Sequence, residues 1–214
     1  MIKAIIFDYD GVISESVGIK GEGFSMIYKP YGKKIVDEII KHHHANGGVS
    51  RYEKFRFYHK NFLDIELNEF EMKALSKKFS LFVVDRIIKA PYVKGAYEFL
   101  KDKNKKYDMF ISTGTPENEI KIITKARGID KFFKEIYGSP DNKTDHIKRI
   151  INKYGYKKDE IIFIGDSLED KYAANQSQIT FLARIEGISS QLENEKYKMN
   201  DLTSLEKFIS IIDK

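Results

Sequence analysis

Residues 4–12 read Ala4-Ile5-Ile6-Phe7-Asp8-Tyr9-Asp10-Gly11-Val12. A short apolar run ends abruptly in two carboxylates, one residue apart, followed by glycine. The run has the length and the branched and aromatic content of a buried strand. Such a strand takes no charge in its middle, but the carboxyl edge of an open parallel sheet is where reactive groups collect. Two aspartates facing one crevice are costly unless a cation or a reaction uses them.

Further runs of the same kind follow at residues 107–112, 161–164 and 179–183, with a shorter one at 136–137. With residues 2–7 they predict the strands of one sheet. Between them, apolar residues fall at helical spacing in 93–101, 117–126, 144–154, 169–175 and 204–212. Thr115 and Pro116 read as the N-cap and first residue of the 117–126 helix. Alternating strands and helices predict an α/β fold, a Rossmann-like parallel sheet with right-handed crossovers. Residues 14–89 break the rhythm. They hold no buried strand, show helical spacing at 35–40, 52–63 and 70–88, and are punctuated by Gly21, Gly23, Pro30, Gly32, Gly47 and Gly48. The expected organisation is an α/β core of residues 1–13 and 90–214, with residues 14–89 inserted as a helical cap over the crevice.

Composition narrows the partners. Apolar residues make up 42% of the 214, enough for a full core. The net charge of +5 comes from lysines spread through nearly every segment, without a basic block interleaved with aromatics, so no nucleic-acid partner is expected. The absence of cysteine excludes disulfides, thiol nucleophiles and thiolate metal sites, and suits a reducing compartment. The apolar run before Asp8 is too short for a secretory signal, and no segment approaches the ~20 apolar residues that span a bilayer. A cytoplasmic protein without membrane association, monomeric or dimeric, is expected.

The other strand ends are polar as well. Residues 107–112 lead into Thr113-Gly114-Thr115-Pro116, and residues 161–164 into Gly165-Asp166-Ser167-Leu168-Glu169-Asp170. Lys143, in Ser139-Pro140-Asp141-Asn142-Lys143, opens a predicted helix. A doubly wound sheet brings these ends to one crevice, assembling four carboxylates, a hydroxyl and an ammonium. The set suits phosphoryl transfer. Clustered carboxylates are what Mg²⁺ prefers, while a lysine and a hydroxyl stabilise phosphoryl oxygens. A carboxylate serves as nucleophile, and a neighbour two residues on moves the protons.

In order and spacing these motifs resemble the haloacid dehalogenase superfamily, in particular its phosphatases with a helical cap, similar to phosphoglycolate phosphatase and β-phosphoglucomutase-like proteins. The resemblance rests on Asp8-Tyr9-Asp10-Gly11-Val12, Thr113, Lys143 and Gly165-Asp166-Ser167-x-x-Asp170, over essentially the whole chain. It implies a Mg²⁺-dependent phosphatase that hydrolyses a small phosphorylated metabolite through an aspartyl-phosphate. Asp8 is then nucleophile and metal ligand, and Asp10 is general acid/base with its backbone carbonyl on the metal. Thr113, with Gly114 beside it, binds the phosphoryl oxygens; Ser112 is the rival hydroxyl. Lys143 neutralises Asp8 and the phosphate, and Asp166 binds Mg²⁺. Asp170 holds a metal-bound water or orients Lys143. Family dehalogenases lack the second aspartate, so Asp10 favours a phosphatase or mutase.

Arg51 follows a Gly-Gly turn and an expected N-cap at Ser50, with Glu53 as capping-box partner. By resemblance it contacts the anionic end of the substrate. Lys54 and Arg56 read equally well as an exposed helix face, and Tyr52, Phe55, Tyr58 and Phe62 as core. His42, His43 and His44 point in different directions on a helix and end it, rather than sharing a metal. A phosphosugar mutase, needing a second phosphate site in the cap, is the nearest rival. A phosphonate hydrolase needs a Schiff-base lysine, for which Lys20, Lys29, Lys33, Lys34 and Lys54 stand in the cap. A catalytically silent binding protein is the rival of another class.

Overall fold

Apolar side chains at every position of β1 (Ala4–Phe7) leave it no solvent face, and it lies buried in the middle of a six-stranded sheet. In the computed structural model, which describes residues 1–186 and 191–213, its neighbours are β2 (Asp108–Pro116) and β4 (Ile161–Gly165). With β3 (Glu135–Ser139), β5 (Thr180–Arg184) and β6 (Lys198–Met199) the order is β3-β2-β1-β4-β5-β6, parallel throughout. The expected α/β parallel sheet is present. β6 lies outside the strands that the sequence pattern predicts, since two residues carry no periodicity.

Strand alternation sorts the core into two layers. Ile5, Phe7, Met109, Ile111, Ile162 and Ile164 share one apolar cluster with α5 (Ala96–Lys103), α6 (Glu117–Ala126) and α9 (Leu205–Ile212). Ala4, Ile6, Phe110, Ile161 and Phe163 share the other with α7 (Lys143–Tyr154) and α8 (Leu168–Ser177). Each large aliphatic or aromatic side chain fully buried in this way contributes about 1.5–3 kcal/mol.

Between β1 and α5 stand α1 (Val17–Tyr28), α2 (Lys33–Ala45), α3 (Arg51–Tyr58) and α4 (Glu69–Lys89), α3 being prolonged by one π-turn over His59–Leu63. α1 is absent from the helices that the pattern predicts, because its glycines read as breakers. They are packing positions instead. A Cβ on Gly23 would sit 2.9 Å from both Phe79 and Val83 of α4, so only glycine lets the two helices approach this closely. The propensity cost of about 1 kcal/mol per glycine is offset by burial of Phe24, Ile27 and Tyr28. Phe24 packs against Phe55, Tyr58 and Phe79 with ring centroids 4.6–5.5 Å away. As expected, Phe55 and Tyr58 are core residues; Tyr52 and Phe62 are half-buried.

The chain enters and leaves this helical segment side by side. The Glu15 amide donates to the Pro91 carbonyl and the Val93 amide to that of Ile13, both at 3.0 Å, and Ser14 bridges to Tyr92. Arg127, just after α6, ties the crossing together. Its guanidinium donates to the Ser14 hydroxyl and the Ile87 carbonyl, each at 3.0 Å, and lies 3.8 Å above the Tyr92 ring.

Two local expectations change at the end of β2. The strand runs on to Pro116, and four residue steps from Ser112 to Pro116 face two on β3, from Tyr137 to Ser139, so the strand bulges at Thr113–Thr115. Pro116 rather than Thr115 is therefore the N-cap of α6, with no side-chain cap. Thr115 is occupied elsewhere.

Candidate active site

In this strand order the direction of winding reverses between β1 and β4, and the crevice for ligands opens beyond their carboxyl ends. Asp8 and Asp10 follow β1, Asp166 follows β4, and Thr113 lies at the bulge in β2. Lys143 opens α7, where the Asn142 side chain accepts from the Asp145 amide as N-cap. Asp170 stands in the first turn of α8. There the Ser167 hydroxyl accepts from the Asp170 amide, and the Asp170 carboxylate accepts from the Ser167 amide and hydroxyl.

Asp8, Asp166 and Asp170 come together: one carboxylate oxygen from each lies within 4.8 Å of the others. Lys143 Nζ lies 3.2 Å from Asp8 Oδ2 and also bonds Asp170 Oδ1. Burial opposes the Lys143 charge, but Asp170 and Asp8 outweigh it and hold the ammonium above the usual lysine range. Burial pushes Asp8 up to about 6, against the pull of Lys143. Asp166 is raised well above its ordinary value, by burial and then by the charges of Asp8 and Asp170. Among the described residues no group donates a hydrogen bond to the Asp166 carboxylate. The donor set is all oxygen, crowded with like charge and partly unsatisfied, which fits a hard divalent cation.

Asp10 is held apart from this trio. Its Oδ1 accepts from the Ser16 hydroxyl at 2.7 Å, and its Oδ2 from Lys20 Nζ at 2.5 Å and the Thr115 hydroxyl at 3.1 Å. Burial works against its charge, yet Lys20 and the three hydrogen bonds win and keep the carboxyl below its ordinary range. Thr115, read from sequence as a helix cap, thus serves Asp10.

The two candidate hydroxyls part company. Ser112 turns to α7, where its hydroxyl lies 2.8 Å from His146 Nδ1. Thr113 and Gly114 line the cavity of the aspartates, and the Thr113 oxygen accepts from the Thr115 amide at 3.3 Å. That cavity is about 50 Å³ and is closed from above by Gly47, Gly48 and Val49. A Cβ on Gly114 would fall 2.4 Å from the Gly48 carbonyl oxygen, and one on Gly48, whose φ is +75°, 2.6 Å from Ser167 Oγ. Two glycines thus let the loop between α2 and α3 lie directly on the strand ends.

The helices contribute side chains that the phosphatase site expected from the sequence did not include. Lys20 of α1, His43 of α2 and Lys54 of α3 all line the cavity, and Lys54 is buried rather than on an exposed helix face. Lys29, Lys33 and Lys34 are exposed. The three histidines do diverge: His42 stacks on Phe57 at 4.1 Å, His43 is buried, and His44 is exposed. Ser50 caps α3 by accepting from the Glu53 amide at 3.3 Å. Arg51 reaches the edge of the site, but its guanidinium is engaged. It pairs with both carboxylate oxygens of Glu119 at 2.6 and 3.0 Å, donates to Ser80 at 2.8 Å and lies 4.6 Å above Phe79.

The profile of the family described as haloacid dehalogenase-like hydrolase matches residues 5–184, from β1 to the end of β5. The chain belongs to that family. This hydrolase is 25% identical over 183 residues to the phosphoglycolate phosphatase of Haemophilus influenzae strain 86-028NP, covering 81% of each chain. It is 24% identical over 204 residues to the phosphorylated carbohydrates phosphatase of Thermotoga maritima, covering 91% of this chain and 89% of that one. Its fold superposes on the β-phosphoglucomutase of Clostridium difficile with a TM-score of 0.77, at 19% identity and 100% coverage of both chains. Among the described residues of this hydrolase, no helix is long and apolar enough to cross a membrane.

Proposed function

We propose that this hydrolase is a Mg²⁺-dependent phosphatase that cleaves a small phosphate monoester through an aspartyl-phosphate on Asp8. The observation that carries the reading is the convergence of Asp8, Asp166, Asp170 and Lys143 beside Thr113, with Asp10 held separately by Lys20, Ser16 and Thr115. Relatives named as phosphatases support it. Asp8 and Asp166 hold the ion, with Asp170 behind them fixing Lys143. When bound, Mg²⁺ neutralises charge on the phosphoryl oxygens.

A carboxylate oxygen of Asp8 attacks phosphorus, and the bond from phosphorus to the ester oxygen breaks. Lys143 and Thr113 offset the charge on the equatorial oxygens. Asp10 gives the leaving oxygen its proton, the incoming phosphate charge having raised its proton affinity. Asp10, now the carboxylate favoured by Lys20, takes a proton from water, which attacks phosphorus and releases Asp8 and phosphate. The loop at Gly48 and the helices behind it act as the cap, excluding bulk water from the first step.

The test is phosphate release from a panel of small phosphate esters with Mg²⁺ and with EDTA. Turnover that needs the metal is expected, and a panel without metal-dependent release would end the proposal. A mutase needs a second phosphate-binding cation set in the cap, and Arg51, the candidate for it, is already taken by Glu119 and Ser80. Lys20 has its own test. Because it holds Asp10 down, the pH–rate profile of Lys20→Met is expected to move to higher pH. An unmoved profile would separate Lys20 from the ionisation of Asp10.

A further inference from the structure

Each cation of the site except one is claimed by a carboxylate. Lys20 pairs with Asp10, Lys143 with Asp8 and Asp170, and Arg51 with Glu119. Lys54 is as deeply buried as Lys143, at 3% exposure, yet among the described residues no carboxylate lies within ion-pair distance of it. Its single hydrogen bond among the described residues runs 2.9 Å to His43 Nδ1, and its ammonium passes 5.9 Å from the centre of the Phe24 ring. Burial and the Lys54 charge keep His43 neutral, so Nδ1 accepts and aims the amine. An ammonium has three donors, and two of these remain. Burial and then Lys20 pull Lys54 down to about 7, the cost of a buried cation that lacks a counter-charge.

Lys54 stands on the wall shared by two small cavities. One is the roughly 50 Å³ space of the aspartates and Thr113. The other, about 20 Å³, is lined by Lys20, Arg51 and Lys54 with Phe24, Val49 and Phe79, and has no carboxylate in its lining. It is large enough for one water-sized group. Phosphate therefore belongs at the acidic, metal-binding end, and the leaving group projects toward the cationic one. A hydroxyl there leaves the buried ammonium without a counter-charge, whereas a carboxylate supplies it.

We propose that Lys54 is a specificity-determining residue that pairs with an anionic oxygen on the leaving group, so that the substrate is a short phosphorylated carboxylic acid rather than a neutral phosphorylated polyol. His43 is its positioning residue. This rests on the phosphatase reading above.

The experiment compares 2-phosphoglycolate with 2-hydroxyethyl phosphate, which differ only in a carboxylate against a hydroxymethyl group. Wild type is expected to favour the acid in kcat/KM by about 100-fold, the size of a charge-assisted hydrogen-bonded pair. Lys54→Met brings the ratio near one, and Lys54→Arg keeps part of it. Wild type that cleaves both esters equally, or a Lys54→Met variant that loses both alike, overturns the assignment while leaving the phosphatase reading intact. Ligand-induced shifts of the thermal midpoint, taken with Mg²⁺, read binding without turnover. If phosphoglycolate stabilises wild type well beyond Lys54→Met although no ester is hydrolysed, the phosphatase reading falls and the recognition by Lys54 stands. Equal shifts in the two proteins overturn it.

Discussion

Asp8→Asn is expected to lower phosphate release by about 100,000-fold, the scale of losing a covalent nucleophile, and at the same time to raise the thermal midpoint at pH 7.5. Both effects follow from one environment. The Asp8 carboxyl titrates near 6 in the fold instead of 3.8, chiefly through burial, with Lys143 opposing. A carboxylate with a raised pKa is penalised in its ionised form. The penalty is absent below about pH 3.8, grows between the two values and is complete above about pH 6. Asparagine removes it, which stabilises the neutral-pH fold by roughly 1–3 kcal/mol. The difference between the two proteins should close as the pH falls to 4. Thermal denaturation at pH 4, 6 and 7.5, beside a phosphate-release assay, checks both halves. Surviving turnover, or a stability gap indifferent to pH, would remove Asp8 from the role given to it.

Lys143→Met should be damaging in both respects. Lys143 touches Asp8 and Asp170, both buried, so its loss leaves two carboxylates facing each other with no cation between them. Breaking such a buried arrangement costs about 3–5 kcal/mol. Loss of its charge opposite the phosphate is expected to lower turnover by about 1,000-fold or more. The sign with pH is opposite to that of Asp8. A lysine raised in the fold contributes stability that is complete below its unfolded pKa of 10.5 and lost only as pH rises through the folded value. Wild type therefore carries the full contribution across pH 6–9. The deficit of the variant shrinks in acid, where the stranded Asp8 protonates, and also with millimolar MgCl₂ if Asp8 and Asp166 hold the ion. Urea denaturation at pH 5 and 7.5, with and without MgCl₂, measures it. A deficit that Mg²⁺ leaves unchanged would count against the metal site.

The parts of this protein legible in its sequence are those set by local chemistry. β1, β2, β4 and β5 declare themselves because each is short, apolar and buried on both faces. Asp8, Asp10, Thr113 and Asp166 stand out because a polar group at the end of such a strand is costly to desolvate unless a ligand or a reaction uses it. What the sequence conceals depends on tertiary packing. α1 is hidden because glycine is a poor helix former in isolation, and only the proximity of Phe79 and Val83 reveals why Gly23 is there. Lys20, His43 and Lys54 sit on three separate helices, and no spacing along the chain states that these point into one cavity. Thr115 is misread for a similar reason. A threonine before proline is a sound cap by local rules, but a bulge in β2 turns it toward Asp10. Arg51 reads as a free cation until Glu119, 68 residues away, is seen beside it.

The hydrogen bonds between residues 13–15 and 91–93 set the two ends of the helical segment one ladder spacing apart, about 5 Å. Seen from the sheet, everything from α1 to α4 is a single long loop between neighbouring points. A segment closed at its base in this way is a cassette: it can be lengthened or shortened between fixed ends without changing strand order, although Lys20 on α1 ties it to Asp10. Under the proposed reading, the sheet ends supply Asp8, Thr113 and Asp166, and the segment closed at its base supplies Lys20, His43 and Lys54 to the same cavity.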